Sequence, residues 1–167
     1  AGARVATGDW ILFVDADSRP TRELFADAVA TASRQGVLAI GSTIRLDGGG
    51  MSAALAAEGW NLVSRVAGLL AGSFIAVDRA AFEAIGGFSL EFFAGEELDL
   101  ARRLKAHGKA ERRRIVILHR HPLETSARKV RLYGPLETIG FLARALCRPR
   151  STLRNRDSCF LWYDARR

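Results

Sequence analysis

The stretch Trp10–Asp17 constrains the fold of this chain more than any other. Its first five residues, Trp10 to Val14, are apolar without a break and rich in aromatic and branched side chains. A run of this length and composition predicts a β-strand that is buried on both faces. Two acids separated by one alanine, Asp15 and Asp17, follow directly. Ligands of open α/β sheets bind beyond the carboxyl ends of the strands, so these acids are candidates for a functional site.

Asp15 and Asp17 are two residues apart, and on an extended chain both carboxylates would face the same side. Two converging carboxylates repel each other unless a cation lies between them. A hard divalent cation suits such oxygen ligands and commonly also holds the phosphates of a substrate. A surface turn is the alternative, because the Asp, Ser and Pro residues of segment 15–20 are turn formers. We favour the metal site, since turn formation does not explain two acids directly after a buried strand.

Helical and strand-like segments alternate along the rest of the chain, which indicates an α/β fold. Its 167 residues are enough for one domain with a core. Helical spacing and caps predict helices from Pro20 to Gly36, over 51–70, from Asp78 to Ile85, from Glu96 to Gly108 and over 135–146. Strands are predicted over 37–40, over 42–46 as a separate edge strand, over 71–77, and over 115–118.

The net charge of +7 favours anionic partners such as nucleotide phosphates, nucleic acid or an acidic membrane surface. Basic and aromatic residues are interleaved in the tail 148–167, and the helix predicted over 135–146 has one apolar side. We therefore expect peripheral membrane contact and no nucleic-acid binding. No apolar run reaches the roughly 18 residues of a membrane-spanning helix. Two cysteines without metal-type spacing indicate a reduced compartment, and we expect a cytoplasmic location at the inner membrane surface.

A second acid cluster, Glu96, Glu97 and Asp99, lies at the predicted start of a helix. Such acids can simply complement the helix dipole. Taken with two other motifs, however, they resemble the family 2 glycosyltransferases of the GT-A fold. These motifs are Val-Asp-Ala-Asp (14–17), Gly-Gly-Phe (86–88) and Gly-Glu-Glu-Leu-Asp-Leu-Ala-Arg-Arg-Leu (95–104), and their order is that of the family. Segments 125–129 and 162–166 are also similar to bacterial members.

The resemblance implies a fold and a domain organisation. The fold would be an α/β, GT-A-like (Rossmann-like) mixed sheet flanked by helices. Residues 1–133 would form the catalytic portion, and residues 134–167 a C-terminal helix followed by a basic aromatic tail. The family's first βαβ half, which binds the nucleotide base, should precede Asp15, but only 14 residues do. We therefore expect an N-terminally truncated fragment that by itself binds a nucleotide sugar weakly.

The resemblance also implies a reaction: metal-dependent, inverting transfer of a sugar from a nucleotide-diphosphate sugar to an acceptor hydroxyl. The acceptor is not identified, and a lipid-linked one would suit a membrane-attached enzyme. Asp17 would bind Mg²⁺ or Mn²⁺, and Asp15 would help through the ribose or a metal-bound water. Glu97 stands where the family has its catalytic base, usually Asp. Glu96 and Asp99 would share the binding of the acceptor.

Two histidines and two basic residues near the end of the predicted catalytic portion can each be interpreted in two ways. His119 and His121 flank Arg120 at the end of the predicted strand, where a histidine, His121 in particular, would be a further metal ligand or part of a polar strand end. Arg128 and Lys129 would close over the diphosphate, because cationic donors suit phosphate, or would belong to a solvated basic loop.

Two other functions compete with glycosyl transfer. Haloacid-dehalogenase-like phosphatases also open on a strand that ends in Asp-x-Asp, and Asp15 would then be the nucleophile. That motif expects Thr or Val where this chain has Arg19, so we rank this function well behind. A non-catalytic fragment that binds membrane or nucleic acid through its basic tail is the other alternative.

Overall fold

The computed structural model describes residues 2–48, 50–71, 73–89, 91 and 95–126. The predicted helix over 135–146 and the whole proposed C-terminal portion, residues 134–167, lie outside these ranges. The strands are β1 (Trp10–Val14), β2 (Ser18–Arg19), β3 (Val37–Asp47), β4 (Phe74–Asp78) and β5 (Arg114–Ser126). The helices are α1 (Arg22–Ala32), α2 (Gly50–Ala67), α3 (Arg79–Ala84) and α4 (Glu96–Glu111), preceded by a 3-10 turn at Gly2–Arg4.

The five strands form one mixed sheet in the order β1-β4-β3-β5-β2. β4 runs antiparallel to both of its neighbours, whereas β3 and β5 are parallel. β1, β3 and β5 therefore point the same way, and their carboxyl ends meet at one edge, which we call the carboxyl edge. This mixed sheet with flanking helices confirms the predicted fold class.

β1 is not buried on both faces, contrary to the prediction. Ile11 is 6% exposed, but Leu12 and Val14 on the other face are 38% and 39% exposed. In the described part of the chain β1 is a terminal strand of the sheet. α1 packs on β4 and β5, through Phe74 and Leu123, and leaves this face of β1 exposed. An uninterrupted apolar run does not distinguish a strand covered on two faces from one covered on a single face.

β3 is one strand of 11 residues, so the two separate strands predicted over 37–40 and 42–46 are wrong. β5 likewise continues through His119 and Pro122 to Ser126, well beyond the predicted end. The register jumps where Ser42 pairs with Leu118 but Ile44 pairs with Leu123, which leaves a bulge in β5. A bulge tolerates Pro122, because its missing N–H removes no ladder hydrogen bond there.

A side chain from α2 binds the backbone of β3 beside the bulge. The Asn61 side chain accepts a 2.8 Å hydrogen bond from the Ile44 N–H and donates a 2.9 Å bond to the Ile44 carbonyl. Asn61 is only 6% exposed, so it satisfies two backbone groups that would otherwise lack partners in the interior. Beyond this point the second half of β5 pairs with β3 on one side and with β2 on the other.

Helices cover both faces of the sheet. α3 and α4 pack on one face through residues that include Phe82, Leu100 and Leu104. α1 packs on the other face, where Leu24 and Ala28 contact Phe74 and Leu123. Thr21 caps α1 by accepting a 3.1 Å hydrogen bond from the Leu24 N–H, and Asp78 caps α3 at the predicted start of that helix. No described helix is long and apolar enough to cross a bilayer.

α4 runs from the carboxyl edge back to the opposite edge of the sheet. The sequence predicted that this helix ends at Gly108, but it continues to Glu111. A Cβ on Gly108 would lie 2.6 Å from the Arg113 carbonyl oxygen and 2.8 Å from Leu38 Cδ2. Glycine is therefore needed here for the close approach of the start of β5, rather than for ending the helix.

Candidate functional site

The Asp15–Asp17 segment forms a tight turn at the carboxyl edge. The Asp15 N–H donates to the Ser73 carbonyl at 3.3 Å, and the Ser18 N–H donates to the Asp15 carbonyl at 3.0 Å. The turn carries the chain from the end of β1 to β2, which pairs with the end of β5. Both aspartates are exposed. The turn that the sequence offered as an alternative is thus present, and it presents both acids at the edge where ligands of α/β sheets bind.

The chemistry of this turn suits a hard divalent cation. The Asp17 carboxylate has no hydrogen bond or ion pair with the described part of the chain, and carboxylate oxygens are the ligands that Mg²⁺ and Mn²⁺ prefer. Within the described ranges, no three His, Cys, Asp or Glu side chains form a metal-binding group. The described residues would thus supply at most two carboxylates, which fits a cation that completes its shell with waters and substrate phosphates.

His121 is engaged elsewhere. Its Nδ1 lies 2.9 Å from Asp27 Oδ2 on α1, and both side chains are partly exposed. This contact joins β5 to α1 and does not bring His121 together with Asp15 and Asp17 as a three-ligand group. The neighbouring His119 is exposed.

The second acid cluster lies at the same edge of the sheet, because α4 begins there. Gly95 precedes the helix with φ 69°, and its carbonyl accepts from the Leu98 N–H at 3.0 Å. Glu96 and Glu97 in the first turn are half-buried. The topology therefore places Asp15 and Asp17 at the end of β1 and the two glutamates at the start of α4, on one side of the domain.

Asp99 has a different environment from Glu96 and Glu97. Its side chain is 8% exposed and bonded to Arg103 Nε at 2.6 Å and to Arg102 Nη2 at 3.1 Å. Burial by itself raises the pKa of Asp99, but the hydrogen bonds from Arg103 and Arg102 more than offset it, so the pKa lies below its ordinary value. A carboxylate held by two guanidinium groups is suited to positioning its helix rather than to contacting an acceptor.

The Gly-Gly-Phe segment connects the two acid clusters. Gly86 and Gly87 have φ values of 77° and 70°, and Gly87 lies under the ring of Phe82, where a Cβ would come within 3.1 Å. The turn directs Phe88 against Phe13, with ring centroids 5.1 Å apart in an edge-to-face arrangement. Phe13 is two residues before Asp15, so this packing supports the strand that carries the acids.

Arg103 ties α4 to this turn. Its Nη1 donates a 2.7 Å hydrogen bond to the carbonyl of Ile85, while its Nε binds Asp99. A chain of contacts therefore runs from the start of α4 through Arg103 and the Gly-Gly turn to Phe88 and β1. Arg103 and Phe88 stand in two of the family motifs and Phe13 in the apolar run before Asp15, but these motifs by themselves predict no role for the three residues. The four-residue spacing of Asp99 and Arg103 on a helix is a signal that could have identified the ion pair.

A cavity of about 340 Å³ lies beside this connection. It is lined by Ile85, Gly86, Ser89, Glu91, Asp99, Arg102 and Arg103. Asp15 and Asp17 do not line it, so it is not a cleft shared by the two acid clusters. Arg128 and Lys129 lie outside the described residues, and the structure says nothing of their placement.

The fold is that of known GT-A glycosyltransferases. The mannosyltransferase PcManGT from Pyrobaculum calidifontis, solved in complex with GDP-Man and Mn²⁺, matches with a TM-score of 0.58 and 21% identity over 86% of this chain and 41% of its own. Glucosyl-3-phosphoglycerate synthase from Mycobacterium tuberculosis, solved with Mn²⁺, UDP-glucose and phosphoglyceric acid, matches with a TM-score of 0.48 and 19% identity, over 87% and 49%. This chain thus spans less than half the length of either protein.

Sequence comparison identifies the family. No curated protein matches the chain significantly. The model of glycosyl transferase family 2, in contrast, matches residues 1–86, which include the Asp15–Asp17 turn and the first glycine of the Gly-Gly-Phe segment. The chain belongs to glycosyl transferase family 2.

Proposed function

We propose that this chain is the part of a metal-dependent, inverting glycosyltransferase that holds the donor diphosphate and the catalytic base. The sugar would pass from a nucleotide-diphosphate sugar to an acceptor hydroxyl. The observation that carries the proposal is the shared location of the two acid clusters, Asp15 with Asp17 and Glu96 with Glu97, at the carboxyl edge. The GDP-Man and Mn²⁺ bound to the similar mannosyltransferase are consistent with this chemistry.

Asp17 and Asp15 would hold the divalent cation. Bound there, Mg²⁺ or Mn²⁺ supplies positive charge that stabilises the nucleoside diphosphate as leaving group. Asp17 is the main ligand in this proposal, because its carboxylate is exposed and has no partner in the described part of the chain. Asp15 assists and fixes the turn through its backbone bonds to Ser73 and Ser18.

Glu97 would act as the general base. Its carboxylate takes the proton from the acceptor hydroxyl as that oxygen bonds to the anomeric carbon of the sugar. The bond from that carbon to the diphosphate oxygen breaks on the opposite side, so one displacement inverts the configuration. Glu96, half-buried in the same helical turn, would bind the acceptor.

The remaining candidate residues take more limited roles. Asp99 would position α4 through Arg103 instead of contacting the acceptor, because its carboxylate is already held by two arginines. Arg128 and Lys129 would bind the diphosphate as cationic donors. His121 would support α1 through Asp27, and we leave it out of the proposed metal site.

Replacement of Asp17 tests the metal site. In a titration of Mn²⁺ with GDP and with UDP, followed by calorimetry, we expect Asp17→Asn to lose the Mn²⁺-dependent part of nucleotide binding. Asp47→Asn is the matched control, because Asp47 is an exposed acid at the end of β3 near the same edge. It changes the net charge equally and should bind as the wild type does. Wild-type affinity in Asp17→Asn, or an equal loss in both variants, would contradict the assignment.

A further inference from the structure

The outer face of α2 is apolar. The helix packs on β3 with one side, from which Ala53, Ala57, Asn61 and Ser64 are buried. On the opposite side, four apolar residues are exposed at spacings of four, seven and four residues, which align them in one stripe along the helix. They are Met51 (78% exposed), Leu55 (67%), Leu62 (63%) and Val66 (81%).

This stripe differs from the scattered exposed apolar residues of most protein surfaces. Exposed apolar side chains that form a continuous patch mark surfaces that bind another molecule or a membrane. The only charged residues of α2 are Glu58 and Arg65, both on the same edge of the stripe. A helix with this distribution can lie in the plane of a membrane interface with its apolar side down.

The first turn of α2 lies at the carboxyl edge. α2 connects the end of β3 to the start of β4, and both of these strand ends are at the carboxyl edge. The turn of Asp15 and Asp17 is at the same edge, where Asp15 bonds to Ser73 just before β4. The Met51 end of the stripe is therefore at the edge that carries the proposed metal site.

The net positive charge of the chain lies in the residues that follow β5. Residues 1–126 contain equal numbers of basic and acidic side chains, whereas residues 127–167 contain ten Lys and Arg but three Asp and Glu. The whole excess of +7 thus belongs to the segment after β5. β5 ends at Ser126, which pairs with Asp47, three residues before α2 begins. Ser126, the last described residue before the basic segment, therefore lies near the first turn of α2.

We propose that the outer face of α2 is the surface by which this protein lies on an anionic lipid bilayer. The α2 stripe, defined by Met51, Leu55, Leu62 and Val66, supplies the apolar contact. The segment 127–167 supplies the attraction to anionic headgroups, which each nearby Lys or Arg strengthens. Two such signals together give stable attachment where one gives only weak binding. The further step, that the acceptor hydroxyl is carried by a lipid, rests on the proposed function.

Vesicle binding by the whole chain tests the proposal without any measurement of transfer. The wild type, a variant with Leu55→Gln, Leu62→Gln and Val66→Gln, and a control with Phe25→Gln and Val29→Gln are sedimented with phosphatidylcholine vesicles with and without phosphatidylglycerol. The control removes two apolar residues of α1 that are 53% and 52% exposed. We expect wild-type binding to the anionic vesicles only, a loss of at least tenfold for the α2 variant, and a change below twofold for the control.

A second measurement does not depend on the triple variant. In a Cys147→Ser, Cys159→Ser background, a fluorophore is attached at Leu62→Cys or at Phe25→Cys. Anionic vesicles should shield the probe at position 62 from an aqueous quencher and leave the probe at position 25 accessible. Equal shielding at both positions, wild-type vesicle binding by the triple variant, or a wild type that instead forms dimers through the stripe and ignores vesicles would each overturn the proposal.

Discussion

Arg103 joins the first turns of α4 to the Gly-Gly turn by binding Asp99 and the carbonyl of Ile85 with one guanidinium group. The Nε–Oδ2 distance to Asp99 is 2.6 Å, and the Nη1–O distance to Ile85 is 2.7 Å. Arg102 binds the same carboxylate at 3.1 Å, but its side chain is 71% exposed, against 24% for Arg103. Two arginines on one aspartate thus have unequal structural importance, and the difference can be measured.

We expect Arg103→Ala to lower the free energy of unfolding by about 2 kcal/mol, because it leaves the buried Asp99 carboxylate and the Ile85 carbonyl with fewer partners. Arg102→Ala should cost about 0.5 kcal/mol or less, as is usual for an exposed ion pair. Urea denaturation of both variants measures the difference. Equal losses would show that the link to Ile85 contributes little.

The ionisation of Asp99 makes stability depend on pH. Its pKa in the folded protein lies below the ordinary value of 3.8, so the folded state binds its proton less readily than the unfolded state does. The stabilisation from ionised Asp99 is therefore complete well above pH 3.8 and is lost as the pH falls through the folded-state pKa. Urea denaturation from pH 6 to pH 2.5 should show the stability gap between wild type and Asp99→Asn shrinking with acidification. A stability difference that stays constant with pH would show that ionised Asp99 is not the source of the pH dependence.

The two interior glycines of α4 and α2 should respond in opposite ways to alanine. Gly108→Ala places a Cβ within 3 Å of Arg113 and Leu38, and overpacking of this kind costs about 1–3 kcal/mol. Gly59→Ala in α2 has open space around the new Cβ and should raise stability by roughly 0.5–1 kcal/mol, through helix propensity. Thermal unfolding of both proteins checks the pair. A Gly108→Ala protein as stable as the wild type would mean that β5 moves away at little cost.

Glu97→Gln addresses the proposed catalytic base. In a full-length version of the enzyme, we expect sugar transfer in the presence of Mn²⁺ to fall at least about 100-fold, the usual contribution of a positioned general base, with nucleotide binding unchanged. Glu111→Gln, at the other end of the same helix, is the control and should retain activity. Turnover by Glu97→Gln within a few-fold of the wild type would move the role of base to another residue.

Local chemistry was enough to predict much of the fold. The start of α3 followed from Asp78, whose side chain accepts a hydrogen bond from the Ala81 N–H three residues ahead, and such a bond depends only on nearby residues. The family and the positions of both acid clusters followed from short motifs in the right order. A short acidic turn after an apolar strand and a group of acids at the start of a helix can be predicted from neighbouring residues, without knowledge of distant parts of the chain.

Tertiary structure alone decided the features that depend on distant residues. Pro122 and the two histidines suggested the end of β5, but pairing with β2 and β3 carries the strand past them through a bulge. Gly108 lies inside α4, where the close approach of Arg113 leaves no room for a Cβ atom. The spacing of Asp99 and Arg103 is a local signal for their ion pair, but only the fold brings Arg103 to the carbonyl of Ile85. Sequence patterns specify what a segment can form locally, whereas burial and partner choice are set by segments that meet only in the folded domain.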